Sequence, residues 1–321
     1  MLFDSRTGFV SIADSGRHRI IIARRDASVK KIIGCGNPGS RDGSFAEAQF
    51  NCPGGMAFFR GKLYIADTGN RLLRLADFAM EEVVTVAGFH YHPGGYVLPV
   101  GNDLSFPWDL VAAREKIYLA MAENNQIWEL NPENNIIRAF AGTGREGLRD
   151  GDLNSACFSR PTGLTTDLTG NIYCVDAKTS SLRLIKLDTG RVETLAAHGQ
   201  TPLLFPRDVA WDSSGKKLFV ADGGNNRVVS LDRDKIVSLP LVQELNNPGG
   251  LTVFDEGLLV ADMNSHKIIK IAGEITAEFK LEWPEEYCSP HWAINFYNNK
   301  ESTGYCSQGR FSTGGCSLKA P

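Results

Sequence analysis

The sequence predicts an all-β fold in which six similar four-stranded units close into a ring, and three observations carry that prediction. A short apolar run ending at a carboxylate recurs along the chain. A second recurring run is announced by a proline. Both series return at intervals of roughly 40 to 55 residues, the length of a propeller blade made of four short strands and variable loops.

The first series comprises Val10-Ser11-Ile12-Ala13-Asp14, Leu63-Tyr64-Ile65-Ala66-Asp67, Tyr118-Leu119-Ala120-Met121, Tyr173-Cys174-Val175-Asp176, Leu218-Phe219-Val220-Ala221-Asp222 and Leu259-Val260-Ala261-Asp262. Positions 14, 67, 121, 176, 222 and 262 are separated by 53, 54, 55, 46 and 40 residues. Each run leads through a polar turn into a second apolar segment, as in Thr68-Gly69-Asn70-Arg71-Leu72-Leu73 and Gly223-Gly224-Asn225-Asn226-Arg227-Val228, which is the pattern of a hairpin. A third segment often follows and ends at glycine, as at Val83 to Gly88 and Ile136 to Gly142.

The fourth strand of each unit begins at a proline: Pro53, Pro107, Pro161, Pro206 and Pro248. Proline is tolerated at the first residue of a strand, where no ladder hydrogen bond is lost. Pro290 extends the series, lying 42 residues after Pro248, as Pro248 lies 42 after Pro206. Asp14 has no proline strand before it and Pro290 has no Asp strand after it. The expectation is therefore a six-bladed β-propeller over residues 1–296, its ring closed by a C-terminal strand near Pro290 pairing with the strands that start near Gly8. The alternative is an N-terminal strand lost from the sequence. Residues 297–321, rich in Gly, Ser and Asn and without periodicity, read as a flexible tail.

Composition narrows the function classes. A hydrophobic content of 42% and a charged content of 22% describe a globular chain. A formal charge of -3 argues against a surface dominated by phosphate binding. No run reaches the roughly 18 apolar residues of a membrane span, and the start Met1-Leu2-Phe3-Asp4 lacks a secretory pattern. Seven cysteines with no C-x-x-C pair fit neither a disulfide framework nor a zinc knuckle, which points to a reducing, cytoplasmic compartment.

The turn Asp67-Thr68-Gly69-Asn70-Arg71-Leu72-Leu73 resembles the signature of NHL repeats, whose domains are six-bladed propellers. A longer block supports the resemblance: Gly34-Cys35-Gly36 through Asp42-Gly43 to Phe50-Asn51-Cys52-Pro53 recurs as Gly142-Thr143-Gly144 through Asp150-Gly151 to Phe158-Ser159-Arg160-Pro161. The branch of the family that carries such blocks has a thioredoxin-like domain ahead of the propeller. No such segment is in this sequence, and no redox role is carried over.

The repeated carboxylates Asp14, Asp67, Asp176, Asp222 and Asp262 read as caps for the backbone N–H groups of the turns that follow them, because every blade needs one equally. Asp42 and Asp150 read as turn residues of long inter-blade loops. Departures from the repeat carry more information. The second residue after each strand-opening proline is Gly55, Asp109, Gly163, Asp208, Gly250 and Trp292. If these strands are innermost, Asp109 and Asp208 meet at one mouth of the central channel with Trp108, Arg160, Arg207, His291 and Trp292 nearby, a candidate ligand site of polar and aromatic groups. The competing reading gives each Asp a local backbone N–H.

Catalytic constellations are not evident. Peptidyl-hydroxyglycine amidating lyases resemble this repeat class and hold zinc with channel histidines, but His18 and His266 sit in the repeat's own turn, His90 and His92 share one loop and His198 another. There is no Gly-x-Ser-x-Gly elbow, and Cys52 and Cys157, read as equivalent positions beside Phe50 and Phe158, are expected to be packed. A propeller-type calcium lactonase needs only a few oxygens, and Asp109 and Asp208 keep that alternative open. Some NHL propellers bind single-stranded RNA; Arg17, His18, Arg19, Arg24, Arg25, Lys30 and Lys31 make the first unit basic, yet strand alternation scatters them over different faces. The expected function is a non-catalytic scaffold that binds a protein partner, with no cofactor, no metal, no membrane and no nucleic acid. A metal-dependent hydrolase or lyase is the alternative, and RNA binding the second.

Overall fold

The computed structural model describes residues 1–91, 97–100, 104–196, 202–232, 235–239, 244–255, 257–273 and 275–284. Met1–Glu282 forms one compact unit and Trp283–Pro321 a second. The account below concerns the first, and Pro290, His291, Trp292 and the expected tail lie outside the described residues.

Six antiparallel sheets follow one another along the chain. Blade 1 is β1 (Leu2–Asp4), β2 (Phe9–Asp14), β3 (Arg19–Arg24) and β4 (Val29–Ile33). Blade 2 is β6 (Met56–Phe59), β7 (Lys62–Asp67), β8 (Leu72–Asp77) and β9 (Glu82–Tyr91), with β5 (Gly43–Ser44) and β10 (Val97–Val100) added on β9. Blade 3 is β11 (Pro107–Ala113), β12 (Lys116–Met121), β13 (Gln126–Asn131) and β14 (Ile136–Ala141). In blade 4, β15 (Gly151–Asp152) pairs with the outer strand of β16 (Pro161–Thr166), β17 (Ile172–Asp176), β18 (Ser181–Lys186) and β19 (Arg191–Ala196). Blade 5 is β20 (Asp208–Asp212), β21 (Lys217–Asp222), β22 (Arg227–Asp232) and β23 (Lys235–Ser238). Blade 6 is β24 (Pro248–Phe254), β25 (Gly257–Asp262), β26 (Lys267–Ala272) and β27 (Ile275–Glu278).

The first strands contact one another in the cyclic order β1, β6, β11, β16, β20, β24 and back to β1, so they line the axis of a closed six-bladed propeller. The core lies between blades. Tyr64, Ala66 and Leu73 of blade 2 pack on Leu110, Leu119 and Met121 of blade 3, and Val175 and Leu182 of blade 4 pack on Val209, Val220 and Val229 of blade 5. The second strand of each blade is covered on both faces, which is why runs such as Leu63 to Ala66 are apolar without alternation. Each large side chain so buried contributes roughly 1.5–3 kcal/mol.

The closing strand differs from the sequence expectation. Leu2–Asp4 occupies the edge beside β2, with Leu2 opposite Ser11, Phe3 opposite Val10 and Asp4 opposite Phe9. The place assigned to a strand near Pro290 is therefore filled from the N-terminal side. The turn between β1 and β2 is tight: Gly8 has φ +72° and its N–H donates to the Asp4 carbonyl. Blades 6 and 1 then meet without sharing a sheet, through Phe3 N–H on Thr252 Oγ1 (3.2 Å), an edge-on contact of Phe3 with Phe254, and a backbone exchange between Ala27, Val29 and Glu282.

Candidate functional site

At one end of the ring, the turn after the second strand of each blade faces the loop that opens the next blade. The turn residue in the left-handed region is His18, Arg71, Asn125, Ser180, Asn226 and His266, with φ between 51° and 58°. The residue before each strand-opening proline is also left-handed: Cys52, Phe106, Arg160, Phe205 and Asn247. Across the blade junctions the two meet. The N–H of Cys52 donates to His18 Nδ1 (3.1 Å), Arg160 to Asn125 Oδ1 (3.0 Å), Phe205 to Ser180 Oγ (3.2 Å) and Asn247 to Asn226 Oδ1 (2.8 Å). At the junction of blades 2 and 3 a stack replaces the hydrogen bond, with Arg71 over the Phe106 ring at 4.9 Å. Left-handed backbone costs a non-glycine residue about 1–2 kcal/mol, and these side chain contacts offset part of that cost while fixing the outward side chains.

The predicted site residues fall into two groups. Asp109 and Asp208 line a central cavity of about 360 Å3, together with Leu164, Thr165, Trp211 and Leu251. Trp108, Arg160 and Arg207 lie at blade junctions outside that lining. Trp108 is the bulge residue of β11, between Pro107 and Asp109, and Arg160 stacks on its ring at 5.6 Å. Arg207 sits at the junction of blades 5 and 6, with Nε donating to Asn247 Oδ1 (2.8 Å). His291 and Trp292 lie outside the described residues. Arg71 and Phe106 were not singled out by the repeat; the signal for both is their place immediately after the turn and immediately before the proline.

Each channel carboxylate stitches one blade to the next. Asp109 Oδ2 accepts the Leu164 N–H at 2.7 Å, and Asp208 Oδ2 accepts the Leu251 N–H at 2.7 Å. Both donors follow bulges, between Pro161 and Leu164 in β16 and between Pro248 and Leu251 in β24, which free their N–H groups from the ladder. The glycines alternating with these aspartates are steric partners: a Cβ on Gly55 would lie 2.5 Å from Asp109 Cα, and one on Gly163 would lie 2.5 Å from Asp208 Cα. Burial raises Asp109 well above the usual carboxylate range, and the neighbouring Asp208 charge raises it further. Burial pushes Asp208 up to about 6. Among the described residues no group of three His, Cys, Asp or Glu is placed to hold a metal ion.

The repeated aspartates act differently from the sequence expectation. Asp14, Asp67, Asp222 and Asp262 make no cap on the backbone of the following turn, and four of the five accept N–H groups from the loop upstream, Asn51 to Asp67 (2.7 Å), Ser159 to Asp176 (2.7 Å), Leu204 to Asp222 (2.7 Å) and Asn246 to Asp262 (2.6 Å), while Asp14 accepts Arg19 Nε (3.0 Å). The turn bends its own backbone N–H groups inward on themselves, as Arg71 N–H to Thr68 O, and reaches the carboxylate by an asparagine side chain instead, Asn70 Nδ2 to Asp67 Oδ2 (2.7 Å) and Asn225 Nδ2 to Asp222 Oδ2 (2.8 Å). In blades 2 and 4 a buried arginine joins them. Arg74 bonds Asp67 (2.9 Å) and Asp42 (2.8 Å) beneath the Phe50 ring, and Arg183 bonds Asp150 (3.0 Å) and the Cys157 carbonyl (2.8 Å) beneath Phe158. Asp42 and Asp150 also accept from Thr85 and Thr194, which occupies the carboxylates that a calcium site would need.

Two further expectations are resolved. Cys52 and Cys157 are not equivalent: Pro38 bridges Phe50 as Glu146 bridges Phe158, which registers Cys157 with Gln49 and Cys52 with Arg160. Cys157 is buried and Cys52 half-buried. Of the basic residues of blade 1, Arg19 is buried on Asp14 (3.0 Å), Arg25 pairs with Asp255 (2.9 Å) and Lys31 with Glu81. Among the described residues no helix is long and apolar enough to cross a membrane.

Comparison with known proteins places this geometry. No family model matches the chain. NHL repeat-containing protein 2 from Bos taurus is 31% identical over 317 residues, covering 80% of this chain and 44% of that protein, so the chain spans less than half the length of this relative. Among solved structures, a nidogen/laminin complex contains a chain that superposes with a TM-score of 0.62 at 16% identity, covering 87% of this chain and 94% of that one. Virginiamycin B lyase from Staphylococcus aureus superposes with a TM-score of 0.52 at 18% identity, covering 72% of this chain and 71% of that one. At these identities the solved structures speak for the fold alone. Sequence relationship, repeat signature and six-bladed ring agree: the chain is an NHL-repeat β-propeller.

Proposed function

We propose that the chain is a non-catalytic protein-interaction platform that binds its partner on the end of the ring where the blade junctions meet. The observation that carries this reading is the pair Leu204 and Phe205, 43% and 56% exposed at the junction of blades 4 and 5. Their backbone is not loose: the Leu204 N–H is held by Asp222 and the Phe205 N–H by Ser180. Two large apolar side chains fixed on rigid backbone and turned to water are suited to burial in a protein contact. Loops presented by a rigid scaffold commonly serve binding. Among the described residues Cys35, Cys157 and Cys174 form no disulfide, which accords with a cytoplasmic protein.

The test is affinity capture from a native extract with the wild type, a Leu204→Ser/Phe205→Ser variant, and an Ile275→Ser variant on the outer strand β27. A partner lost only with the junction variant, at unchanged thermal unfolding, supports the platform. Capture that is identical for all three overturns it.

A second reading, a metal-dependent hydrolase or lyase, is favoured by one observation, the two carboxylates facing the central cavity. Both already accept backbone N–H groups, which makes it the weaker reading. Thermal unfolding in EDTA and then in calcium or zinc separates the two: a metal-dependent rise that Asp109→Asn and Asp208→Asn abolish would favour the enzyme.

A further inference from the structure

The opening of blade 3 is flanked on both sides by arginine. Arg71, from the turn of blade 2, lies over the Phe106 ring at 4.9 Å, and Arg160, from the opening of blade 4, lies over the Trp108 ring at 5.6 Å. Both arginines are exposed. Their backbones are fixed, with Arg71 at φ +58° and Arg160 at φ +65°, the latter held by Asn125. Several other surface arginines are spent on carboxylates: Arg25 on Asp255 (2.9 Å), Arg114 on Asp188 (2.7 Å), Arg191 on Asp152 (3.1 Å) and Arg60 on Glu115 and Glu133. Arg71 and Arg160 differ. Among the described residues neither has a carboxylate within ion-pair distance, and each has an aromatic face in its place.

A guanidinium stacked on a ring keeps its N–H edges free in the plane, oriented for a planar two-oxygen acceptor. The ring takes part of its hydration and holds it in place, so less entropy is lost when that acceptor arrives. Resting on the reading of this end of the ring as an interaction platform, we propose that Phe106, Trp108 and their two flanking arginines form a docking site for an acidic peptide segment of the partner, with one carboxylate engaging each guanidinium.

Nucleic acid fits these observations less well. Its affinity comes from neutralising many phosphates along a strand, and the matching positions at the other junctions are His18, Asn125, Ser180, Asn226 and His266 in the turns and Cys52, Phe205 and Asn247 before the prolines, none of them a lysine or an arginine. Single-stranded bases also need open aromatic faces to stack on, and here one face of Phe106 and one face of Trp108 already carry an arginine. Two carboxylates match two cations.

The experiment is fluorescence anisotropy of the full chain with labelled octaglutamate, octaglutamine and octauridylate RNA. The variants are Arg71→Met, Arg160→Met, the double variant, Arg71→Lys/Arg160→Lys, and Arg114→Met as a control. Methionine keeps the apolar cover over each ring, and thermal unfolding checks that the fold is unchanged. Octaglutamate is expected to bind above octaglutamine, to weaken with salt, and to lose about tenfold or more in affinity in the double methionine variant. The lysine pair is expected to restore only part of it, because lysine keeps the charge and lacks the fork, and Arg114→Met should bind as the wild type does. Octaglutamate binding no tighter than octaglutamine, binding indifferent to the double variant, or a preference for the RNA would each overturn the proposal. Failure is separable from failure of the platform itself: a native partner captured through Leu204 and Phe205 and retained by the double methionine variant sinks the acidic site and leaves the platform standing.

Discussion

The carboxylate of Asp109 accepts the backbone N–H of Leu164 at 2.7 Å, so a side chain on the inner strand of blade 3 completes the hydrogen bonding of the inner strand of blade 4. Asp208 does the same for Leu251, between blades 5 and 6. Removing the acceptor leaves an N–H freed by a bulge without a partner. Asp109→Ala is therefore expected to cost about 1–3 kcal/mol, whereas Asp109→Asn, which keeps an acceptor oxygen and loses the charge, should match or exceed the wild type at pH 7. Urea unfolding of the two variants measures both.

The same pair sets a pH dependence opposite to ordinary acid denaturation. A carboxyl whose folded pKa lies above its unfolded value binds its proton more tightly in the native state, so it stabilises at low pH and that stabilisation is lost as pH rises through the folded value. Asp208, pushed up to about 6 by burial, and Asp109, raised by burial and by Asp208, both act in this sense. Tm should rise between pH 7 and pH 5 by roughly 2–4 °C per kcal/mol gained, and the rise should shrink but persist in Asp109→Asn/Asp208→Asn, because burial also pushes Asp67 and Asp176 up to about 6. Below about pH 4 the trend reverses. Asp167, where hydrogen bonds from Thr169, Asn171 and Tyr173 outweigh the upward push of burial, is held low and loses its contribution there.

Arg74 is fully buried and holds Asp67, Asp42 and two backbone carbonyls, of Gln49 and Arg41. Arg74→Met strands the buried Asp67 carboxylate and is expected to cost about 3–5 kcal/mol, the usual loss on breaking a buried pair. Adding Asp67→Asn should recover part of this, since the stranded charge is then gone. A double-mutant cycle read by guanidinium unfolding checks it, and Arg183 with Asp176, equally buried at the longer distance of 3.8 Å, is the corresponding pair in blade 4.

Gly163 and Gly55 occupy positions where a methyl group has no room, each 2.5 Å from a backbone Cα of the next blade. Alanine at either should cost about 1–3 kcal/mol by overpacking. Gly16, where a Cβ meets nothing within 4 Å, is the control and should change little. Thermal unfolding of the three alanine variants distinguishes a steric role from a general glycine effect.

The blade count and the inner position of the proline strands were legible because they rest on residues that every repeat must supply, such as the Asp67 turn and Pro53. Leu2–Asp4 was not legible: three residues carry no periodicity, and no proline marks them, so its role was given to Pro290. Arg74 and Arg183 were equally hidden, since an arginine in a strand reads as solvent-facing until its partners are known. Their partners, Asp42 and Asp150, sit more than thirty residues upstream in the long loops. The candidate site was half legible. Asp109 and Asp208 stood out as breaks in a glycine series, but their distance from Trp108 and Arg160 follows from the bulge at Trp108, which turns that ring out of the ladder. Arg71 and Phe106 belong to consensus positions and drew no attention as residues.

Among the described residues each blade draws its strands from one unbroken stretch of chain, β1 to β4, then β5 to β10, and so on to β24 to β27, and late chain meets blade 1 through an isolated bridge between Glu282 and Ser28. Folding can therefore follow synthesis. Blade 1 has every strand it needs once Ile33 is made, and each later blade can dock on a finished neighbour through cores such as that joining blades 2 and 3. Among the described residues the contacts of blade 6 with blade 1, Phe3 with Phe254, Arg25 with Asp255 and Val29 with Glu282, come last, so a nascent ring remains an open arc until its sixth blade is made.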